Sequence, residues 1–167
     1  MFSRILVAYD GTAAARHALD VAIEVAVRFQ SSLTIGFVRA PGSTPSDTVL
    51  DSLVPLEESS KSFGAVTEEV RGEALARGVP SVDSHVLEGE VVDALLSWAR
   101  HQRADLLVVG SRGLSRGKRL FLGSVSSSLV QQSHCPVLVV RGTREHLGRS
   151  ERRTSTAHPG GAARGSG

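Results

Sequence analysis

The sequence predicts an α/β protein of three layers, α/β/α, with helices on both faces of an open parallel sheet. Two observations carry that expectation. Five short strand-like stretches alternate with four longer segments in which apolar residues recur at helical spacing, and strand–helix–strand series of this kind close with right-handed crossovers that place helices on both sides of a parallel sheet. The chain of 167 residues is 41% hydrophobic, enough for one domain with a substantial core.

The elements follow in order. Arg4 to Tyr9 (RILVAY) is an apolar run closed by Asp10-Gly11, which suits a central parallel strand. Thr12 is placed to cap the next segment, where Ala15, Ala18, Leu19, Ala22, Val25, Ala26 and Phe29 form a helical stripe. Leu33 to Val38 is the second strand, with Gly36 its weak point. Arg39 to Pro55 contains Pro41, Gly42, Pro45 and Pro55 and reads as a long loop. Leu56 to Arg77 is an amphipathic helix marked by Phe63, Val66, Val70, Ala74 and Leu75 and stopped by Gly78 and Pro80. Val82 to Leu87 is the third strand. Glu88-Gly89-Glu90 turns into a helix over Val91 to Arg100, with Trp98 a core or lid residue near its end. Asp105 to Val109 is the fourth strand, Phe121 to Gln132 the fourth helix, with Val125, Leu129 and Val130 facing inward, and Pro136 to Val140 the fifth strand. Residues 1–141 form the domain. Residues 142–167, rich in Gly, Arg and Ser, bury too little to offset ordering entropy and read as a disordered basic tail.

Charge narrows the classes of partner. Five Arg and two Glu give the tail a net +3, so of the formal +2 for the whole chain the body keeps −1. The five Phe lie within apolar patterns instead of interleaving with Arg and Lys, so no stacking platform for specific nucleic-acid binding is expected. No run approaches the length of a membrane span, and no signal peptide is recognised at the start. The lone Cys135 rules out an internal disulfide and fits a reducing compartment, so the expected location is the cytoplasm.

The stretch from Asp105 to Ser128 carries the chemistry. A buried strand runs into Gly110-Ser111-Arg112-Gly113, then a basic segment from Ser115 to Arg119, then Gly123-Ser124-Val125-Ser126 at the start of a helix. The first N–H groups of a helix have no partner within it and their dipoles align, so with small hydroxyl side chains they attract an anion. Glycines at 110, 113 and 123 permit close approach of the backbone to a phosphate. The same pattern also serves as a tight turn in sheets that bind nothing. Neither standard nucleotide fingerprint is present. A P-loop counted back from Gly117-Lys118 would need Gly at Arg112 and a hydroxyl residue at Arg119, and GxGxxG is missing after the first strand. Binding in such sheets occurs beyond the carboxyl ends of the strands where strand order reverses, which nominates Asp10, Gly11, Val38, Arg39, Glu88, Gly89 and the loop from 110 to 126.

Gly110, two residues, Gly113, nine residues and Gly123-Ser124, together with ILVAYDGT at the start, Leu87-Glu88-Gly89, ADLLVVGSRG and CPVLVV, resemble the universal stress protein family of the UspA type, in its ATP-binding branch. The likeness covers residues 2 to 141. It implies an adenine nucleotide alpha hydrolase-like, Rossmann-like sheet of order 3-2-1-4-5 and a homodimer formed by antiparallel pairing of the last strands. It also implies ATP with Mg²⁺ in the crevice: Asp10 and Gly11 near the adenosine and the cation, Val38 near adenine, Gly110, Arg112 and Gly113 against ribose and phosphates, and Gly123, Ser124, Val125 and Ser126 around the phosphates.

Phe37 stands where relatives often have His, a change toward apolar packing that leaves the phosphate motif untouched. Arg112, Arg116, Lys118 and Arg119 surround the loop as phosphate ligands or as a solvated face. His17, His85, His101, His134, His146 and His158 are scattered, so no Ser–His–Asp set is suggested and no catalytic residue is assigned. Three functions follow in order: an ATP-binding regulatory protein of the stress response with at most slow ATP hydrolysis; a nucleotide-independent dimeric scaffold for other proteins; an enzyme acting on a small phosphorylated substrate.

Overall fold

β1 (Arg4–Tyr9) is apolar on both faces, and a strand of that kind is stable only with both faces covered. It lies at the centre of the sheet. In a computed structural model, which describes residues 2–39, 59–111 and 123–141, the other elements are α1 (Ala13–Phe29), β2 (Ser32–Arg39), α2 (Ser59–Ala76), β3 (Ser81–Glu88), α3 (Val91–His101), β4 (Leu106–Ser111), α4 (Ser124–Gln132) and β5 (Val137–Arg141). The strands pair in the order β3-β2-β1-β4-β5 and every pairing is parallel, as the resemblance implied. An Asp105 carboxylate anchors the start of β1 by accepting the Ser3 N–H at 2.8 Å and the Arg4 N–H at 3.0 Å.

Handedness decides which helix covers which face. The chain winds from β1 outward to β3, then crosses back over β1 to β4, so right-handed crossovers put α1 and α2 on one face and α3 and α4 on the other. Each face has its own core. On the first, Ile5, Val7, Leu33, Ile35 and Val108 meet Leu19 and Ile23 of α1 and Val70 and Ala74 of α2. On the second, Leu6, Leu107 and Val109 meet Leu95 and Ala99 of α3 and Leu129 of α4. Each such buried Val, Leu or Ile contributes roughly 1.5–3 kcal/mol through removal from water, and each alanine less.

Several boundaries differ from the sequence expectation. β4 continues through Gly110 and Ser111, paired with Val140 and Arg141, so Gly110 is a strand residue and not the first of a loop. α4 begins at Ser124 with Gly123 as its N-cap; the expected start at Phe121 lies outside the described residues, as do the loop from 40 to 55, the start of the second helix and the tail. Val130, expected inward, is 49% exposed, and Leu75 is 41% exposed. Trp98 is half-buried against the second core and packs on the ring of His85 at 5.5 Å.

Side chains of α1 and α2 also join through an ion network. Arg16 pairs with Glu73, and Arg77 bonds Asp20 at 2.6 Å and reaches Glu73 at 3.6 Å. Burial lowers the Arg16 pKa, but its bond to Glu73 and the surrounding negative groups outweigh this, and the net shift is upward. The network is partly open to solvent, so each pair adds at most about 1 kcal/mol. It fixes the docking angle of the helices more than it adds stability.

β4 lies close against the first turn of α1. A Cβ added at Gly110 would lie 2.6 Å from the Ala14 carbonyl oxygen and 2.7 Å from its carbon, both backbone atoms that have no rotamer to yield. Gly110→Ala is therefore expected to destabilise the apoprotein by about 1–3 kcal/mol, the usual cost of overpacking. Thermal unfolding checks this: the midpoint should fall by several degrees, and an unchanged midpoint would mean that α1 moves away freely.

Candidate functional site

Strand order reverses between β1 and β4, and there the connections depart to opposite faces, which leaves a crevice at the carboxyl ends. It holds a cavity of about 310 Å³. Ala8, Tyr9 and Asp10 of the β1 end, Gly36 and Val38 of β2, and Val109 and Gly110 of β4 contribute to it from the sheet. Thr12, Ala14 and Ala15 contribute from the first turn of α1, Val91 and Leu95 from α3, and Gly123, Ser124, Val125 and Ser126 from the first turn of α4. A larger, shallow hollow of about 640 Å³ lies along α3 and α4 and includes Arg100 and His101. It runs along α3 from Asp93 to His101 and shares no lining residue with the carboxyl-end cavity.

Three helix N-termini border the cavity, Val91 being the first residue of α3, and those of α1 and α4 differ chemically. At α1 the Thr12 hydroxyl accepts the Ala15 N–H at 3.2 Å and donates to Asp10 Oδ1 at 2.6 Å, while the Thr12 N–H donates to the same oxygen at 3.1 Å. This end is capped from within, and its nearest carboxylate is negative. At α4 the N-cap is Gly123, which has no side chain to offer. The Ser126 hydroxyl donates back to the Gly123 carbonyl at 3.0 Å, so the exposed hydroxyl of that turn is Ser124. An anion is therefore attracted to α4.

The structure gathers Asp10, Val38, Gly110, Gly123, Ser124, Val125 and Ser126 around this one cavity. Gly11 is a turn residue with φ +78°, between Asp10 and the Thr12 cap, and it does not line the cavity. Arg112 and Gly113 lie outside the described residues. Two of the reasons given for the glycines change. Gly110 is small because the α1 backbone lies against it, and Gly123 has φ −58°, which any residue adopts, so its backbone alone does not require glycine. Phe37 is 2% exposed and stacks edge-to-face on Tyr9 at 5.4 Å on the α1 side of the sheet. The apolar lining from Ala8, Gly36, Val91 and Leu95 was not read from the sequence. Its one available signal was Gly36 in mid-strand.

Asp10 is the carboxylate of the cavity, and among the described residues no three His, Cys, Asp or Glu side chains cluster as a metal site. That suits a cation held chiefly by a ligand's oxygens with one carboxylate, the common Mg²⁺ mode, and not a site built wholly from protein.

A doubly wound α/β protein with an anion-attracting helix end at its switch point is thus defined, and comparison with known proteins gives the family. The profile of the universal stress protein family matches residues 1–141. A universal stress protein of Thermus aquaticus is 40% identical over 144 residues, covering 84% of this chain and all of that protein. The universal stress protein YxiE of Bacillus subtilis is 36% identical, again over 84% of this chain and the whole of its own. The chain belongs to the universal stress protein family. Among solved structures, UspA from Lactobacillus plantarum superimposes with a TM-score of 0.68 at 26% identity, covering 84% of this chain and 98% of its own. A universal stress protein in complex with cAMP gives 0.66 at 29% identity, with 85% and 99% covered. No helix among the described residues is long and apolar enough to cross a membrane.

Tyr9 joins the cavity to the ion network. Burial raises the pKa of its phenol above the ordinary 10.0; the Arg16 guanidinium beside it opposes that rise, and Asp10 and Glu73 add to it. The folded protein thus favours the neutral phenol, and this contribution to stability is intact below pH 10 and is lost as pH rises through the folded pKa. Tyr9 is the one tyrosine of the chain, so absorbance at 295 nm titrates it alone. The expected midpoint lies above that of the unfolded protein in denaturant, and equal midpoints would show that the phenol is solvated.

Proposed function

We propose that the protein is a regulatory component of the stress response that binds an adenine nucleotide, ATP in its working state, in the cavity between β1 and β4. The observation that carries this is the pairing of an uncapped α4 N-terminus with an apolar recess under α3 in one cavity. The first suits phosphate and the second suits a base. The cAMP complex of a 29% identical relative supports an adenine nucleotide over other phosphorylated ligands. In this reading Val38 lies beside the adenine, Gly110 beside the ribose, and the α4 turn from Gly123 to Ser126 holds the phosphates, with Arg112 and Gly113 completing the loop. Asp10 would help to hold Mg²⁺, whose charge offsets that of the phosphates. Nucleotide state then alters shape or partners, and any hydrolysis is slow.

Calorimetric titration of Mg-ATP, AMP and cAMP into nucleotide-stripped protein tests the reading. Gly123→Val is expected to abolish binding with the fold retained, since φ −58° accommodates valine while its side chain enters the phosphate space. Ser124→Ala removes one hydrogen bond to a charged group, ~1.5–3 kcal/mol, or roughly 10- to 150-fold in affinity. Unchanged affinity in folded Gly123→Val would place the phosphates elsewhere.

The same reading includes a homodimer paired antiparallel along β5. β5 is an edge strand with β4 on one side only, and exposed edges invite pairing. The Leu107 N–H donates to the Pro136 carbonyl, so by the alternation of a strand Leu138 and Val140 face β4 while the Val139 N–H points outward. Val139→Pro thus removes an outward donor without touching the β4 ladder. Sedimentation should show a dimer at micromolar concentration in the parent and a monomer in the variant; a monomeric parent ends this proposal.

A further inference from the structure

Gly36 lies in the interior of β2, where glycine weakens a strand by adding backbone freedom and removing a side chain from packing. The usual reasons for a glycine do not apply here. Its φ is not positive, since Gly11, Gly78 and Gly89 are the described glycines in that region. There is no bulge, because the register runs unbroken through Ala8, Gly36 and His85 across three strands. Nor is backbone nearest to it, in contrast to Gly110: the three atoms closest to an added Cβ would be the side-chain tips Leu6 Cδ1 at 3.2 Å, Leu87 Cδ1 at 3.3 Å and Leu95 Cδ2 at 3.6 Å, a close fit.

Gly36 lines the cavity on the α3 side of the sheet, and a side chain there would crowd the tips of Leu6, Leu87 and Leu95, the last of which lines the same cavity. Ala8 and Gly36 are register partners, so the two smallest side chains of their strands lie next to each other beneath Val91 and Leu95. They form a flat apolar floor, separate from the α4 turn. Every nucleotide carries phosphate, so the α4 turn cannot tell one base from another, and that choice falls to the recess.

Resting on the reading of this cavity as a nucleotide site, we propose that Gly36 is a specificity-determining residue. It sets the depth of the recess so that a two-ring purine fits, and a side chain at this position shortens the recess to the reach of a one-ring pyrimidine. Hydrophobic pockets discriminate through such differences in filled volume, at about 10-fold or more for each methylene-sized contact.

The test titrates AMP and CMP separately into the parent, Gly36→Ala and Gly36→Val, with thermal unfolding of each unliganded protein. The parent should prefer AMP. Gly36→Val should lower the affinity for AMP by about 10-fold or more while that for CMP changes by less than about 3-fold, with Gly36→Ala between the two. Equal losses of both ligands from folded Gly36→Val, or an unchanged preference, would overturn the assignment of Gly36 and leave the nucleotide reading intact. A parent that binds neither ligand overturns the nucleotide reading and this inference with it. Should Gly36→Val fail to fold, Ala8→Val enters the same recess from β1 and is held to the same outcome.

Discussion

Everything at the functional end of this molecule depends on how closely the end of β4 can lie against the first turn of α1. The two are in contact because strand order places β4 beside β1, and α1 leaves β1 after three residues, Asp10 to Thr12. A side chain at position 110 would strike the Ala14 backbone, so only glycine lets the strand continue to Ser111 while α1 keeps its place over it. Move α1 outward and Tyr9 loses its cover, Arg16 its approach to Glu73, and the cavity one of its walls. Packing at one glycine thereby sets the geometry of the α1–α2 layer and of the crevice together.

Within that crevice the ends of α1 and α4 divide the chemistry. α1 is closed by its own cap, with Asp10 held in a fixed position by the Thr12 N–H and hydroxyl. α4 has glycine at its cap and one exposed hydroxyl beyond it. A helix dipole left uncapped attracts negative charge, whereas one faced by a carboxylate is already offset. The cavity is therefore polarised, with its acidic end at Asp10 and its anion-attracting end at Ser124. A ligand that carries phosphate at one end and a cation nearby matches that polarity, and a neutral metabolite leaves it unused.

Much of this was legible in the sequence, for identifiable reasons. β1, β4 and β5 were readable because buried parallel strands are continuous apolar runs, β2 and β3 as mixed stretches between helical segments, and the Thr12 cap because Asp10-Gly11-Thr12 precedes a clean helical stripe. The glycine spacing drew attention to the end of the sheet where the cavity lies. What escaped is what depends on contacts between distant segments. The Gly110 side chain is excluded by Ala14, nearly a hundred residues earlier, so its reason could not be read locally. The end of α1 carries no glycine or proline signal, since Gln30 itself takes the left-handed conformation at φ 54°. Val130 and Leu75 fit an inward stripe on paper but sit at its margin, where a few tens of degrees of helix rotation decide exposure. The apolar floor of the cavity is formed by β1, β2 and α3 together, and no single segment announces it.

The recess also bears on whether this domain is a nucleotide protein or a scaffold alone. For a scaffold, empty apolar space between a sheet and a helix is a loss, because a void costs the dispersion contacts its lining would otherwise make, and stability falls in proportion to its volume. Leu6, Leu87 and Leu95, all buried, already border Gly36 through their side-chain tips, and the three atoms nearest an added Cβ are side-chain atoms. An alanine there would remove the conformational freedom of a mid-strand glycine but would press those tips back by a few tenths of an ångström, so close packing alone gives a scaffold one reason for glycine at this position. The nucleotide reading gives a second. A base on the Ala8–Gly36 floor would restore the missing contacts from outside the chain, and the stability forgone by the free protein would return as binding free energy when the ligand fills the space.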